Sequence, residues 1–258
     1  MNLWQTVIMS IVEGITEFLP ISSTGHLMLT AKALGLTQTD FLKTFQISIQ
    51  MGAILSVVLL YWRQLVVDFR VLARVMAAFI PTAILGVVFY KIIKTYLLAS
   101  STIVLWSLFL GGIALIVFEL LHKEKGDAID DLGSIPFGTS VLIGLFQAVA
   151  MIPGVSRSAA TIVGGLALGL KRKTVVEFSF LLAVPTMVAA TGLDLFKNAS
   201  KFSLDQIGLL SVGFILSFIS ALLGVKFLLQ FIKHHSFIPF GIYRIAVAVF
   251  CWLLMAAA

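Results

Sequence analysis

Glu13-Gly-Ile-Thr-Glu17-Phe-Leu-Pro20-Ile-Ser22-Ser23-Thr24-Gly25-His26 sets two carboxylates, four hydroxyls and an imidazole inside otherwise apolar sequence. A second stretch, Gln147-Ala-Val-Ala-Met-Ile-Pro153-Gly154-Val-Ser156-Arg157-Ser158-Ala-Ala-Thr161, repeats the design with a guanidinium. Each is interrupted by a proline beside a cluster of hydroxyl residues. A charge at the centre of a bilayer costs about 2.5–3.5 kcal/mol on insertion scales, so intramembrane ions are candidate functional residues. The apolar flanks, 3–35 and 137–170, are cut into halves that fall short of the ~20 residues a membrane crossing needs. They read as re-entrant helical hairpins, which keep irregular backbone at depth only where protein or a wet cavity surrounds it.

Composition supports the membrane setting. The chain of 258 residues is 60% hydrophobic and only 12% charged, with mean hydropathy +1.08. A soluble domain has no interior large enough for that apolar surface, so the expected class is a polytopic all-α membrane protein. The net charge of +6 is spread over short loops, which argues against nucleic-acid binding. Cys251 is alone, so no internal disulfide forms and no Cys-based metal site is suggested. The apolar start, residues 1–12, lacks a basic lead and a small-residue cleavage site, and is not read as a removable signal peptide.

Six uninterrupted stretches are long enough to span: 43–62, 72–93, 101–121, 175–193, 207–232 and 239–257. The order is hairpin, three spans, hairpin, three spans. The halves, about 1–121 and 136–258, resemble each other. Glu13 to Ser22 has the spacing of Gln147 to Ser156, Phe45-Gln-Ile matches Phe178-Ser-Phe180, and Thr82 to Phe89 matches Ser220 to Phe227. Three matches in one order predict a repeat. An odd number of spans per half makes it inverted, with its site near the midplane. The Asp127–Asp131 segment reads as a plain connector. One side carries Arg63, Arg70, Arg74, Lys123, Lys125, Lys171, Arg172, Lys173 and Lys233; the other carries Lys32, Lys43, Lys91, Lys94, Lys197 and Lys201. The richer side is assigned to the cytoplasm, which puts both termini outside.

The polar residues suit a phosphate group. Glu13 and Glu17, four apart, share a helix face. Two carboxylates there need a compensating cation, and Mg²⁺ or Ca²⁺ would also bridge a diphosphate. Pro20 ends one half-helix, and Ser22 or Ser23 caps the next, whose N-terminus favours an anion. Ser23 and His26 share a face, which lets the imidazole reach the hydroxyl as a nucleophile–base pair requires. In the second hairpin Ser156 and Ser158 are the candidate caps, Thr161 shares a face with Ser158, and Arg157 offers a bidentate fork for phosphate oxygens. Ser23 Oγ is the expected nucleophile, with His26 or Glu17 taking its proton; His26 or a water is the alternative nucleophile. Arg157 also neutralises Glu13 or Glu17. Arg244 and Lys226 read as span-end residues that snorkel, with a buried carboxylate as the other partner open to Arg244. Glu177 supports the site or pairs with Lys173.

These motifs, together with Glu177-Phe-Ser-Phe-Leu-Leu-Ala-Val-Pro185 and Ser236-Phe-Ile-Pro-Phe240, resemble the signature segments of bacterial undecaprenyl-diphosphatases, the bacitracin-resistance phosphatases, over essentially the full length. The resemblance implies a multi-pass inner-membrane enzyme, and the loop charges put the opening of its site on the periplasmic side. It would remove the terminal phosphate of undecaprenyl diphosphate with a divalent cation, recycling the carrier for peptidoglycan and other envelope polymers. It implies Glu13 and Glu17 as the acidic pair and metal ligands, Ser23 and His26 as hydroxyl and imidazole, and Arg157 as the clamp. Ser22, Thr24, Gly25, Gly154, Ser156, Ser158 and Thr161 would line the diphosphate site with Arg157. Partners would be the polyprenyl lipid and the bilayer, with a homodimer compatible. The type-2 phosphatidic acid phosphatases share a Ser-Gly-His-like element but need a histidine soon after their Ser-Arg, and here none follows Arg157 before His234. Two other classes stay in view: a polyprenyl-phosphate flippase using the same midplane site, and a structural membrane subunit, for which this set of ionisable residues is excessive.

Overall fold

In the computed structural model the described residues are 1–92, 100–198 and 207–257, and among them ten α-helices account for nearly all regular structure. They are α1 (Leu3–Phe18), α2 (Ser23–Ala33), α3 (Asp40–Leu60), α4 (Phe69–Ile92), α5 (Ser101–Leu121), α6 (Phe137–Val149), α7 (Arg157–Ala167), α8 (Arg172–Asn198), α9 (Ile207–Phe231) and α10 (Ile238–Ala257). Six are long and apolar enough to cross a membrane: α3, α4, α5, α8, α9 and α10. The expected spans agree with them to within a few residues. Position 93 and the cations Lys94 and Lys201 lie outside the described residues.

The two interrupted stretches form helix pairs, α1–α2 and α6–α7. α1 opens on a reciprocal cap, in which Asn2 Oδ1 accepts from Gln5 N–H and Gln5 Oε1 accepts from Asn2 N–H, each at 2.9 Å. It stops because Leu19 precedes a proline and is extended, with φ −75 and ψ 150. α2 restarts from Ser22, whose side chain accepts from Gly25 N–H. α7 restarts in the same way from Ser156, which accepts from Ala159 N–H at 3.2 Å. Ser158, the other expected cap, faces away and donates to Phe18 O at 2.9 Å. Pro81 and Pro185, by contrast, lie inside α4 and α8 without ending them. Partner helices supply the surroundings that make such an interior proline tolerable in a membrane.

The bundle buries polar and charged side chains among an apolar core and turns large apolar side chains outward. Glu13, Gln147, Ser217 and Arg244 are buried, while Val87, Leu121, Leu223 and Leu253 face outward. Burial without water demands internal partners for each polar group, and these hydrogen bonds sew the bundle together. Ser217 Oγ donates to Ile49 O at 2.6 Å. Thr82 Oγ1 donates to Gly144 O at 2.8 Å and accepts from Gln147 Nε2 at 2.9 Å. α1 packs on α9, and α6 packs on α4. Glycines set both approaches: a Cβ on Gly14 would fall 2.6 Å from Ser220 Cβ, and one on Gly144 would drive into the Ala78 carbonyl. Gly144→Leu is therefore expected to separate α6 from α4 and cost at least about 1–3 kcal/mol. A lowered thermal midpoint in detergent checks this, and an unchanged midpoint contradicts it.

The 127–131 segment is more than a connector. Ile129 pairs with Leu170 in a single parallel bridge, and Asp130 accepts from Lys171 Nζ at 2.8 Å. The Lys171 ammonium holds the Asp130 carboxyl below its ordinary range. Thr174 Oγ1 donates to the Asp130 carbonyl at 2.9 Å. The segment is thus fastened to the α7–α8 turn. Glu177 approaches Lys173 at 4.0 Å, the pairing expected as one of its two roles.

Candidate active site

The two helix breaks meet across a cavity of about 260 Å³. Ser22, Ser23 and Thr24 line it from the start of α2, Pro153, Gly154, Ser156 and Arg157 from the start of α7, and Glu17 from the end of α1. Both breaks use unusual backbone. Ser22 has φ 70 and Ser156 φ 77, and among the described residues they are the non-glycine residues with positive φ. That region costs an L-residue about 1–3 kcal/mol and persists only where the surroundings impose it. The gain is positional: two helix N-termini border one cavity, and amide groups not used by the serine caps suit an anion.

Three side chains form a continuous chain on its wall. Ser23 Oγ donates to Glu17 Oε2. Glu17 Oε1 accepts from Arg157 Nη2 at 3.3 Å. Arg157 Nη1 donates to Ser179 O at 3.0 Å, and its Nε is buried with no partner. The guanidinium sits 5.9 Å from the centre of the Phe18 ring, and Arg157 lines the cavity. A hydroxyl bonded to a carboxylate, beside a guanidinium, has the chemistry that a nucleophile–base pair with an oxyanion binder requires.

Other predicted residues stand behind this wall. Glu13 is fully buried, and no N–H or hydroxyl donor reaches its carboxylate oxygens; the Glu17 carboxyl lies close enough to share a proton with it, and Arg157 is the nearby positive charge. Bare carboxylate oxygens beside a second carboxylate fit a hard cation, which prefers oxygen ligands. Ser158 and Thr161 are not on the cavity wall: Ser158 ties α7 to the end of α1 through Phe18 O, and Thr161 Oγ1 lies 2.6 Å from Ser179 Oγ of α8 and 3.0 Å from Arg157 O. Gly25 lets α2 approach Val104 and Leu108 of α5. The expected Ser23–His26 hydrogen bond is absent. His26 Nδ1 instead meets Ser22 O at 2.8 Å, and Nε2 meets Tyr243 Oη at 2.9 Å.

Several residues escaped sequence reasoning. Gln50, Met187, Ala190 and Thr191 complete the cavity wall from α3 and α8; an amide in mid-span was the available signal for Gln50. Arg244 is the larger correction, because it neither snorkels nor meets a carboxylate. It is 0% exposed and spends its N–H donors on five carbonyls. Nε donates to Leu108 O at 3.3 Å, Nη1 to Pro20 O at 3.3 Å and Val155 O at 2.9 Å, and Nη2 to Ser107 O and Gly154 O at 3.0 Å. One guanidinium thus fastens both breaks to α5, and Gly111 and Gly112 leave the room it needs. Its position inside an apolar span was the signal that could have marked it. Lysine has only three donors, so Arg244→Lys leaves at least two carbonyls bare at about 1–3 kcal/mol each. The thermal midpoint in detergent is expected to fall by roughly 4 °C or more; an unshifted midpoint would show the clamp to be dispensable.

Fold and site together define a multi-pass α-helical membrane protein with a hydroxyl-, carboxylate- and arginine-lined cavity between two broken helices. Residues 6–250 match the family model described as bacitracin resistance protein BacA, and the chain belongs to that family. A relative from Sulfurihydrogenibium sp. (strain YO3AOP1), named undecaprenyl-diphosphatase, is 54% identical over 98% of this chain and 99% of its own length. Relatives of the same name from Aquifex aeolicus (strain VF5) and Persephonella marina (strain DSM 14350 / EX-H1) are 52% and 50% identical. They cover 96% and 98% of this chain, and 97% and 99% of their own lengths.

Proposed function

We propose that this chain hydrolyses undecaprenyl diphosphate to undecaprenyl phosphate and inorganic phosphate in the bacterial inner membrane. It would return the lipid carrier to peptidoglycan and envelope polymer synthesis and confer bacitracin resistance. The observation that carries the reading is the Ser23–Glu17–Arg157 hydrogen-bonded chain on a cavity bordered by two helix N-termini. The names of full-length relatives at 50–54% identity support it.

Phosphoryl transfer needs an aligned nucleophile and compensation of charge on the equatorial oxygens. Ser23 Oγ attacks the terminal phosphorus while its proton passes to Glu17. The bridging P–O bond breaks, undecaprenyl phosphate leaves, and water then cleaves the seryl phosphate. Arg157 and the starts of α2 and α7 hold the phosphate oxygens. Glu13 and Glu17 would hold a divalent cation, Mg²⁺ or Ca²⁺, which supplies charge neutralisation for carboxylates and diphosphate alike. Among the described residues no group of three or more His, Cys, Asp or Glu side chains gathers, so further ligands would be hydroxyl and substrate oxygens. The prenyl chain stays in lipid, and only the diphosphate enters.

The two broken pairs are read as re-entrant hairpins in an inverted repeat of halves about 1–121 and 136–258. Support comes from the matching caps, with φ and ψ of 70 and 92 at Ser22 and 77 and 114 at Ser156. It comes also from reciprocal packing, α1 on α9 and α6 on α4. The cavity reaches Ala190 and Thr191 near the far end of the α8 span, on the side with fewer cations, which is read as periplasmic. Purified protein in detergent, with no membrane to cross, is expected to release phosphate from undecaprenyl diphosphate. Binding without release would overturn hydrolysis in favour of a polyprenyl-phosphate flippase.

A further inference from the structure

His26 lies one turn beyond Ser23, is buried, and is off the cavity wall. Its two ring nitrogens have different kinds of partner. Nδ1 is 2.8 Å from the Ser22 carbonyl, which can only accept, so Nδ1 carries the proton. Nε2 is then a bare acceptor, and it is 2.9 Å from the Tyr243 hydroxyl, which must donate. The rings stack with centroids 5.5 Å apart and planes inclined by 6°. No nitrogen remains for Ser23, whose own proton is directed to Glu17.

The Ser22 carbonyl accepts twice from His26, from the ring at 2.8 Å and from the backbone N–H at 3.2 Å. Ser22 is the positive-φ residue that starts α2. The same region is held from the same helix by Arg244, the next residue after Tyr243, through the Pro20 carbonyl. α10 thus reaches the first break twice, once by a guanidinium and once through phenol and imidazole.

We propose that His26 is a positioning residue and not an acid or base. Its Nδ1–H straps the Ser22 carbonyl, Tyr243 fixes the tautomer that makes this possible, and the strap sets the direction of Ser23. The proposal rests on the phosphatase reading for its kinetic consequence alone; the tautomer is independent of it.

Asparagine places an amide N–H near the Nδ1 position and cannot exchange protons near neutral pH, whereas glutamine reaches toward Nε2. Phosphate release, thermal midpoint and ¹⁵N-histidine NMR are to be measured on the full chain in detergent. His26→Asn is expected to keep a third or more of kcat, while His26→Gln and His26→Ala lose roughly 100-fold, the scale of a 1 Å misplacement. The ¹⁵N signals lost in His26→Asn should belong to an Nδ1–H tautomer in the parent protein, and Tyr243→Phe should mix the tautomers and lower kcat several-fold. A folded His26→Asn as inactive as His26→Ala would overturn the strap in favour of imidazole chemistry. So would an Nε2–H tautomer, even if the alanine variant does not fold. Absence of phosphate release by the parent protein would sink the phosphatase reading and leave the NMR result to decide the strap.

Discussion

Ser23→Ala is expected to cut phosphate release by roughly 10³-fold or more, a scale set by the loss of nucleophiles in other covalent catalysts. The substitution deletes one oxygen and leaves the fold intact, because Ser22, not Ser23, caps α2. Its chemical effect is large because Ser23 is the hydroxyl bonded to Glu17. The carboxylate is thereby left without a proton to take, while Arg157 still pairs with its other oxygen. Phosphate release and thermal midpoint, measured side by side in detergent, check the claim. A fall of only about tenfold would assign the attack to water held by the same groups. Phosphate trapped on His26 would overturn the assignment outright, and its bonds to Ser22 and Tyr243 argue against that result.

The second large effect is at Arg157. Arg157→Lys retains a positive charge but is expected to lose roughly 10²–10³-fold in kcat, the range for removing a preorganised donor to an oxyanion. The arginine makes two separate bonds, to Ser179 O at 3.0 Å and to Glu17 Oε1 at 3.3 Å. Each Nη carries a second N–H and Arg157 lines the cavity, so donor capacity remains for a phosphate. One ammonium cannot face three directions from a flexible stem while leaving a planar fork to a phosphate. The Ser179 carbonyl would lose its donor, and Glu17 would lose the contact that orients it toward Ser23. Steady-state kinetics on the folded variant separate the cases. Activity within about threefold of the parent would reduce Arg157 to a charge-balancing residue.

Most of the architecture was legible in the residue order because a bilayer makes hydropathy a strong constraint. Six long apolar runs became six long helices, since lipid offers no partner for backbone groups and helices satisfy their own. Pro20 and Pro153 marked the breaks because hydroxyl residues followed each. Pro81 and Pro185 carry the same local signal and end nothing; neighbouring helices decide that, and sequence does not display neighbours. The candidate site was legible for a similar reason: Glu13, Glu17 and Arg157 are too costly to bury without purpose.

Pairing was not decided by the sequence, which left both His26 and Glu17 open as the partner of Ser23. Three-residue spacing put Ser23 and His26 on one face, yet the hydroxyl turned back to Glu17 and the imidazole turned to α10. Helical periodicity ranks positions around one axis; it says nothing about which donor from another helix arrives first. Arg244 shows the same limit more sharply, because its five carbonyl acceptors come from positions 20, 107, 108, 154 and 155. Composition and order determined that this chain is an all-helical membrane protein with two broken helices rich in hydroxyl and ionisable side chains. Tertiary structure alone decided which of those groups share a cavity, because a buried hydrogen bond depends on distances of tenths of an ångström between segments the chain leaves far apart.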